Sequence, residues 1–419
     1  MTTQISAYTV DGKTPHTVLR PSTTEDLRSM MAAASADKLA VVPWGGGTKM
    51  ALGNPPERYD AALDLQGLGR IVSHNPADLT ATVEAGITIA ALQDALTKRG
   101  QFVALGAPLA DRATVGGTLA VGTAGPLKWQ YGSPRDVVIG MTVVQADGKA
   151  TKSGGQVVKN VSGYDMARLH VGGLGTLGVI AQVSFKLTPL PAREATLLSG
   201  FASMPQAMAA ALAVFHGGAV PLALTTFDDD AARRMAMPGS DAWRVAVEMG
   251  GRPLSLERQV KECEAALRAH GAARVDRLDA PDPKMSGLWR KLTDFGWDQP
   301  TRPTVSARVS LVPSKSSEFL EALEHVPGER AVVSHPAHGT VLVHWYGTAD
   351  DAAAKALSTT REVAVRLGGS AVFERCPVAL KASLDVWGDA RDSLAVMRRM
   401  KEQYDPGRLL NPGRFVGGI

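Results

Sequence analysis

The sequence predicts an α+β protein of two or three domains, on three observations. Its 419 residues, 45% apolar and 21% charged, are enough to bury a large core. Up to about residue 191, short β-rich runs are separated by glycine loops, and fifteen of the 43 glycines fall between residues 106 and 178. After Pro191 the texture changes to alanine-rich helical patterns alternating with strands, an α/β arrangement. The expected domains are 1–191, 192–385 and a C-terminal segment 386–419.

The elements follow in order. Ser22-Thr-Thr-Glu25 reads as a capping box, after which Leu27, Met30, Met31 and Ala34 share one helical face. A buried strand over 39–42 stops at Pro43, before the loop Trp44-Gly-Gly-Gly-Thr-Lys49. Short strands are expected over 61–65, 70–73 and 80–84. Residues 88–99 read as a helix with Ile89, Leu92 and Leu96 inward and Gly100 as its stop. A β-rich run over 137–145 turns at Asp147-Gly148 into a hairpin, and 179–187 is another strand. In the second domain, helices are expected over 205–215 and 256–270, and strands over 242–247, 305–312 and 340–346. A last helix from Ala390 leads into Tyr404-Asp-Pro-Gly-Arg-Leu-Leu-Asn-Pro-Gly-Arg-Phe415. No repeat of fixed period stands out.

Composition excludes several classes. The net charge of +4 and pI of about 9.0 come without any run of clustered Lys or Arg. That describes a solvated surface with room for an anionic substrate, not a nucleic-acid footprint. Two distant cysteines, Cys263 and Cys376, give no disulfide framework and exclude a four-cysteine iron–sulfur cluster within this chain. The first residues lack the pattern of a signal peptide. The most apolar stretch, 207–226, is broken by His216-Gly217-Gly218 and Pro221, so no membrane span is expected. The simplest expectation is a cytoplasmic protein.

Gly173-Leu-Gly175-Thr-Leu-Gly178 matches a dinucleotide fingerprint in letters only. That motif must open a helix, whereas here the β-branched, alternating residues of a strand follow. Gly45-Gly-Gly-Thr-Lys49 likewise lacks the Walker order. The alternative is a set of strand-connecting loops that jointly cradle an anionic cofactor with their amides. Gly45, Gly46, Gly47 and Thr48 form one such loop, and Thr114-Val-Gly-Gly117 and Gly122-Thr-Ala-Gly125 two more.

These loops, with Tyr131-Gly-Ser-Pro-Arg-Asp136, Lys159-Asn-Val-Ser-Gly-Tyr-Asp165, Gly175-Thr-Leu-Gly-Val-Ile180 and Leu410-Asn-Pro-Gly-Arg414, resemble the vanillyl-alcohol oxidase/p-cresol methylhydroxylase (PCMH-type) flavoproteins. Within that family the chain is most similar to the FAD-binding E subunits of bacterial glycolate oxidases. The resemblance implies a two-subdomain FAD-binding domain, an α/β cap domain, and a C-terminal tail packed back on the FAD domain. It implies FAD contacts from Pro43, Gly45, Gly46, Gly47, Thr48, Lys49, Pro108, Thr114, Val115, Gly116 and Gly117. It extends them to Thr123, Gly125, Arg135, Asp136, Lys159, Tyr164, Gly178, Val179 and Ile180. Some members attach flavin through a histidine in or beside the first loop; here there is none, so dissociable FAD is expected.

Related 2-hydroxy-acid dehydrogenases carry a His-x-Gly-Asp-Gly-x-x-His motif. Here the stretch is Ser334-His-Pro-Ala-His-Gly-Thr-Val-Leu-Val-His344, with the second histidine's place taken by Leu342. His335, His338 and His344 are candidate catalytic groups, or else ordinary loop and strand histidines. His338 and His344 are expected to share a strand face, with His335 before it. No acidic third ligand accompanies them, and no metal is expected. Arg308, alone in an alternating strand, suits a substrate carboxylate or a rim salt bridge. Trp289, Phe295 and Trp297 read as core or interface, and Cys376 has no redox role. The resemblance further implies oxidation of a small 2-hydroxy acid such as glycolate. It implies a D-type flavoprotein and an F-type iron–sulfur subunit as partners, at the inner face of the membrane through them. A stand-alone FAD enzyme and a flavin-free scaffold are the rival readings.

Overall fold

The computed structural model describes residues 5–156, 165–237, 239–298 and 302–419. The chain forms two compact units: Met1–Ala124 with Gly132–Leu190 and Lys381–Ile419, and Gly125–Tyr131 with Pro191–Leu380.

In the first unit, strands Thr17–Leu19, Ala61–Asp64 and Val41–Trp44 make a small parallel sheet. Helix Thr24–Ala36 covers it, burying Leu27, Met31 and Ala34 against Val41, Ala61 and Leu63. Its capping box lies one residue later than Ser22–Glu25. Thr23 Oγ1 accepts from the Asp26 N–H at 3.0 Å, while the Asp26 carboxylate accepts from the N–H groups of Thr23 and Ser22, each at 3.0 Å. The later register wins because Asp26 satisfies more orphan donors.

A second, antiparallel sheet runs Ile71–Asn75, Thr80–Glu84, Val179–Lys186, Val138–Val144, Ala150–Gly154. The strand after Gly178 is its centre. Helix Ile89–Thr97 buries Ile89, Leu92 and Leu96 in the same core as Val83, Val183 and Phe185. The expected loop at 114–117 is instead the start of a helix, Val115–Val121. Thr114 caps it, its Oγ1 accepting from the Gly117 N–H at 3.2 Å, and Gly122 ends it at φ +68°. Two glycines weaken this helix by about 1 kcal/mol each. They are needed for close packing: a methyl on Gly116 would lie 2.8 Å from the Ala85 side chain.

The second unit holds one antiparallel sheet of eight strands, built from two copies of a β-α-β-β-α-β motif. The first copy orders its strands Val275–Asp279, Arg193–Phe201, Trp243–Gly251, Ala223–Asp228. The second mirrors it as Glu329–His335, Thr340–Tyr346, Val305–Ser310, Ser370–Arg375. Only Thr226↔Ser334 and Phe227↔Val333 pair across the seam. Helices Met204–His216 and Pro253–Ala269 bury an alanine-rich face on the first copy, and Asp350–Arg366 lies on the second. Phe295 and Trp297 are core residues, and Cys263 and Cys376 are buried free thiols. Among the described residues, no helix is long and apolar enough to cross a membrane.

Candidate functional site

The glycine loop after Val41–Trp44 opens into a cleft of the first unit with about 950 Å³ of empty space, part of it open to solvent. Loop 45–48 forms one wall, Thr114 and the helix after it another, and Leu174, Gly175, Val179 and Ile180 a third; Asn411 and Arg414 close it. The N–H groups of Gly45, Gly46, Gly47 and Thr48 make no hydrogen bond within the described residues. With Gly47 at φ +66°, they form a concave row of free donors suited to an anion. The glycines are dictated by crowding. A methyl on Gly45 would strike Thr114 Oγ1, and one on Gly46 the Arg112 carbonyl. Two buried hydroxyls of the cleft, Thr118 Oγ1 and Thr123 Oγ1, have no partner among the described residues. A row of unpaired amides, orphaned hydroxyls and an apolar floor of Leu52, Leu174 and Ile180 fit a ligand with a charged middle and a flat apolar end.

Of the residues expected at the cofactor, Pro43, Gly45, Gly46, Gly47, Thr48, Lys49, Pro108, Thr114, Gly116, Gly117, Thr123, Val179 and Ile180 line this cleft. Val115 does not: it is fully buried in the core of the antiparallel sheet. The amides of Val115 and Gly116 are taken by Ile87 O at 2.9 Å and Ala85 O at 2.7 Å, so this segment offers no free amide row. Gly178 lies outside the lining, where its close neighbour is Val143. Gly125 belongs to the second unit. Arg135 and Asp136 are exposed; Asp136 accepts from the Ser133 N–H at 2.7 Å and hydroxyl at 2.6 Å, which holds its carboxyl below the usual range. Asp136 thereby caps the short helix Pro134–Val137. Lys159 and Tyr164 lie outside the described residues. Thr118, Asn411 and Arg414 were not foreseen as cleft residues. The signal was present in the Asn-Pro-Gly-Arg tail, which carried the resemblance without a site being assigned to it.

The C-terminal segment is bolted to this wall. Val41 N–H donates to Leu409 O at 2.7 Å and Asn411 N–H to Val41 O at 2.9 Å, so the tail runs beside Val41. Lys401 Nζ, buried, donates to Asp405 Oδ2 at 2.6 Å, Thr176 O at 2.8 Å and Leu410 O at 2.8 Å. Asn411 Nδ2 reaches Leu174 O at 2.6 Å.

The expected catalytic residues lie in the second unit. Strand register puts Arg308, His335 and His344 on one face of the sheet. His338 is not on that strand; it occupies the turn Pro336–His338, its ring centroid 5.2 Å from that of His335. The neighbouring pair is therefore His335 and His338, because the chain reverses between them. Each group already has a protein partner. Arg308 Nε donates to the buried Glu374 at 2.9 Å, the ion pair that was the alternative to a substrate carboxylate. His335 Nδ1 bonds Thr225 Oγ1 at 3.0 Å, His338 Nδ1 bonds Thr340 Oγ1 at 3.0 Å, and His344 Nδ1 bonds Ser306 Oγ at 2.9 Å. Burial pushes His335 down to about 4 and His338 to about 2, so both are neutral at physiological pH. Among the described residues, no group of three or more His, Cys, Asp or Glu side chains is placed to hold a metal ion.

A neutral buried histidine favours the unfolded state in acid, where the unfolded chain binds the extra proton. The stability of wild type relative to His335→Gln is expected to fall between pH 6.5 and pH 4, by up to about 1.4 kcal/mol per pH unit. Urea unfolding of both proteins across that range checks it; a pH-independent difference would contradict the buried neutral state.

Comparison with known proteins gives the cleft its context. Residues 15–154 match the FAD binding domain family, and residues 190–415 match the C-terminal domain of FAD linked oxidases. Glycolate oxidase subunit GlcD of Bacillus subtilis is 25% identical over 420 residues, covering 96% of this chain and 89% of that protein. Glycolate oxidase subunit GlcE of Escherichia coli is 37% identical over 165 residues, 39% of this chain and 47% of that protein. The 4-ethylphenol oxidase of Gulosibacter chungangensis superposes with a TM-score of 0.71 at 18% identity, over 95% of this chain and 88% of that one, a likeness of fold. With a PCMH-type FAD-binding domain followed by the oxidase C-terminal domain, the chain belongs to the FAD-linked oxidases and is an FAD-dependent oxidoreductase.

Proposed function

We propose that this chain is the FAD-binding subunit of a dehydrogenase that oxidises glycolate, or a similar small 2-hydroxy acid, to the 2-oxo acid. The observation that carries the reading is the 37% identical stretch shared with GlcE, well above the 25% identity to GlcD over the longer match. In this reading residues 1–191 and 386–419 form the FAD domain and 192–385 the cap. Loop 45–48 would hold the diphosphate on its free amides, and Thr118 and Thr123 would bond the cofactor through their unpaired hydroxyls. When bound, FAD would supply a redox centre able to take up two electrons, from the hydroxy acid or from a partner's flavin. The electrons must then leave through other chains, because two cysteines cannot ligate a cluster relay. A D-type flavoprotein and an F-type iron–sulfur subunit are the partners, and the assembly works in the cytoplasm or at the inner face of the membrane. Arg308 and the three histidines are engaged within their own sheet, which supports oxidation mainly on the D-type partner.

The rival is a self-sufficient dehydrogenase of another 2-hydroxy acid, favoured by the near full-length match to GlcD. Purification of the chain alone and with its partners separates them. The expected result is a yellow protein whose flavin is released on acid precipitation, slow with glycolate and an artificial acceptor by itself and fast once the partner subunits are added. Rapid turnover of a different 2-hydroxy acid by the single chain would establish the rival, rapid turnover of glycolate by it alone would refute the need for partners, and flavin retained in the acid pellet would refute dissociable FAD.

A further inference from the structure

We propose that Arg414 is the counter-ion of the FAD diphosphate. The inference rests on the reading that the cleft of the first unit holds FAD. Arg414 lines that cleft and is only 3% exposed. Its guanidinium meets neutral oxygens alone: Asn411 Oδ1 at 3.3 Å, Met50 O at 2.8 Å and Leu52 O at 2.6 Å. Its Nε is buried and without a hydrogen-bond partner among the described residues. The other two buried cations of the C-terminal segment are neutralised, Lys381 by Asp11 at 2.8 Å and Lys401 by Asp405 at 2.6 Å. For Arg414, no carboxylate stands within ion-pair distance among the described residues. Burial lowers it to about 10, which still leaves it charged at neutral pH.

Asp11 attracts this charge from beyond ion-pair distance but is itself paired with Lys381. A buried charge so incompletely compensated is unfavourable, and so is a buried N–H without an acceptor. One anion in the cleft removes both costs. The position selects the anion. Met50 and Leu52, which hold the guanidinium, directly follow the loop whose amides at 45–48 are free. Amide row and cation line the same cleft, and planar, multi-donor recognition of phosphate oxygens is what a guanidinium does best. Arg414 thus does two things. It ties the C-terminal tail to the chain leaving the glycine loop, and it presents the remaining N–H and the charge to the diphosphate.

The test titrates wild type stripped of flavin, Arg414→Gln and Arg414→Lys with FAD, ADP and riboflavin by calorimetry. Arg414→Gln is expected to weaken FAD and ADP by the same factor, about tenfold to a hundredfold, and to leave riboflavin unchanged. Arg414→Lys, which keeps the charge but has no Nε–H, falls between. Unchanged ADP affinity overturns the proposal. So does an equal loss of ADP and riboflavin, which a collapsed cleft would give, and so does a loss confined to riboflavin, which would put the arginine at the flavin ring. Should Arg414→Gln not fold, Arg414→Lys decides alone, by selective loss of ADP affinity or by none. Failure of stripped wild type to rebind FAD refutes the reading of the cleft itself, a different result from wild type binding FAD while the variants bind it equally well.

Discussion

Gly46→Ala is expected to lower FAD affinity by about thirtyfold to a hundredfold while the chain stays folded. The added methyl would lie 2.6 Å from the Arg112 carbonyl carbon and closer still to its oxygen. That carbonyl cannot retreat. The N–H groups of Arg112 and Ala113 are held by Leu109 O at 2.8 and 2.7 Å, and Ala113 O accepts from Ile89 N–H at 2.8 Å. The loop must move instead, and its row of four unpaired amides moves with it. Overpacking of this kind costs about 1–3 kcal/mol. Here it falls on a loop whose position sets ligand contacts, so it shows as lost affinity before lost stability. Gly155→Ala is the control, since its added methyl meets nothing within 4 Å. Fluorescence titration of the stripped proteins with FAD reads both. Wild-type affinity in Gly46→Ala would mean that the amide row is not the cofactor cradle.

Lys401→Met is expected to destabilise the first unit by about 3–5 kcal/mol, the usual result of breaking one side of a buried pair. Asp405 is fully buried, and its remaining donors are the Leu409 N–H at 3.0 Å and the Leu410 N–H at 2.7 Å. Removing the ammonium strands that carboxylate and frees the carbonyls of Thr176 and Leu410. Burial already pulls the Lys401 pKa down, a sign of how much its ion pair must offset. The double variant Lys401→Met/Asp405→Asn should recover most of the loss, because an asparagine leaves no stranded charge. Denaturant unfolding of Lys401→Met, Asp405→Asn and the double variant gives the coupling directly. A single variant within about 1 kcal/mol of wild type would show that the pair is solvated.

Local structure was legible wherever a periodic signal stood beside a cap or a stop. The strand Thr80–Glu84, the helix Ile89–Thr97 with its three inward residues, and the strand after Gly178 are examples. That last strand is what disqualified the apparent dinucleotide motif. The helix Val115–Val121 was hidden because glycine is a poor helix former, and its use there is packing against Ala85, which no local window shows. The duplicated motif of the second unit was hidden for a related reason. Its two copies share strand order and not residue spacing, since a helix Asp229–Arg234 lengthens the first. The histidine geometry turned on whether His338 belonged to the strand or to the turn before it. Arg414 could be quoted from the sequence as part of a motif. That no described carboxylate stands within ion-pair distance of it is a three-dimensional fact.

The route of the chain has a consequence for biosynthesis. Residues Pro191–Leu380 of the second unit are continuous, whereas the first unit is completed only by Lys381–Ile419. As the polypeptide leaves the ribosome, the long block of the second unit can condense while the glycine loop still lacks Asn411 and Arg414. The contact between Val41 and Leu409 spans most of the sequence, the kind of closure that forms late. Nascent chains stalled before residue 400 should therefore bind no FAD, and cofactor loading becomes a checkpoint passed only once Asn411 and Arg414 are in place.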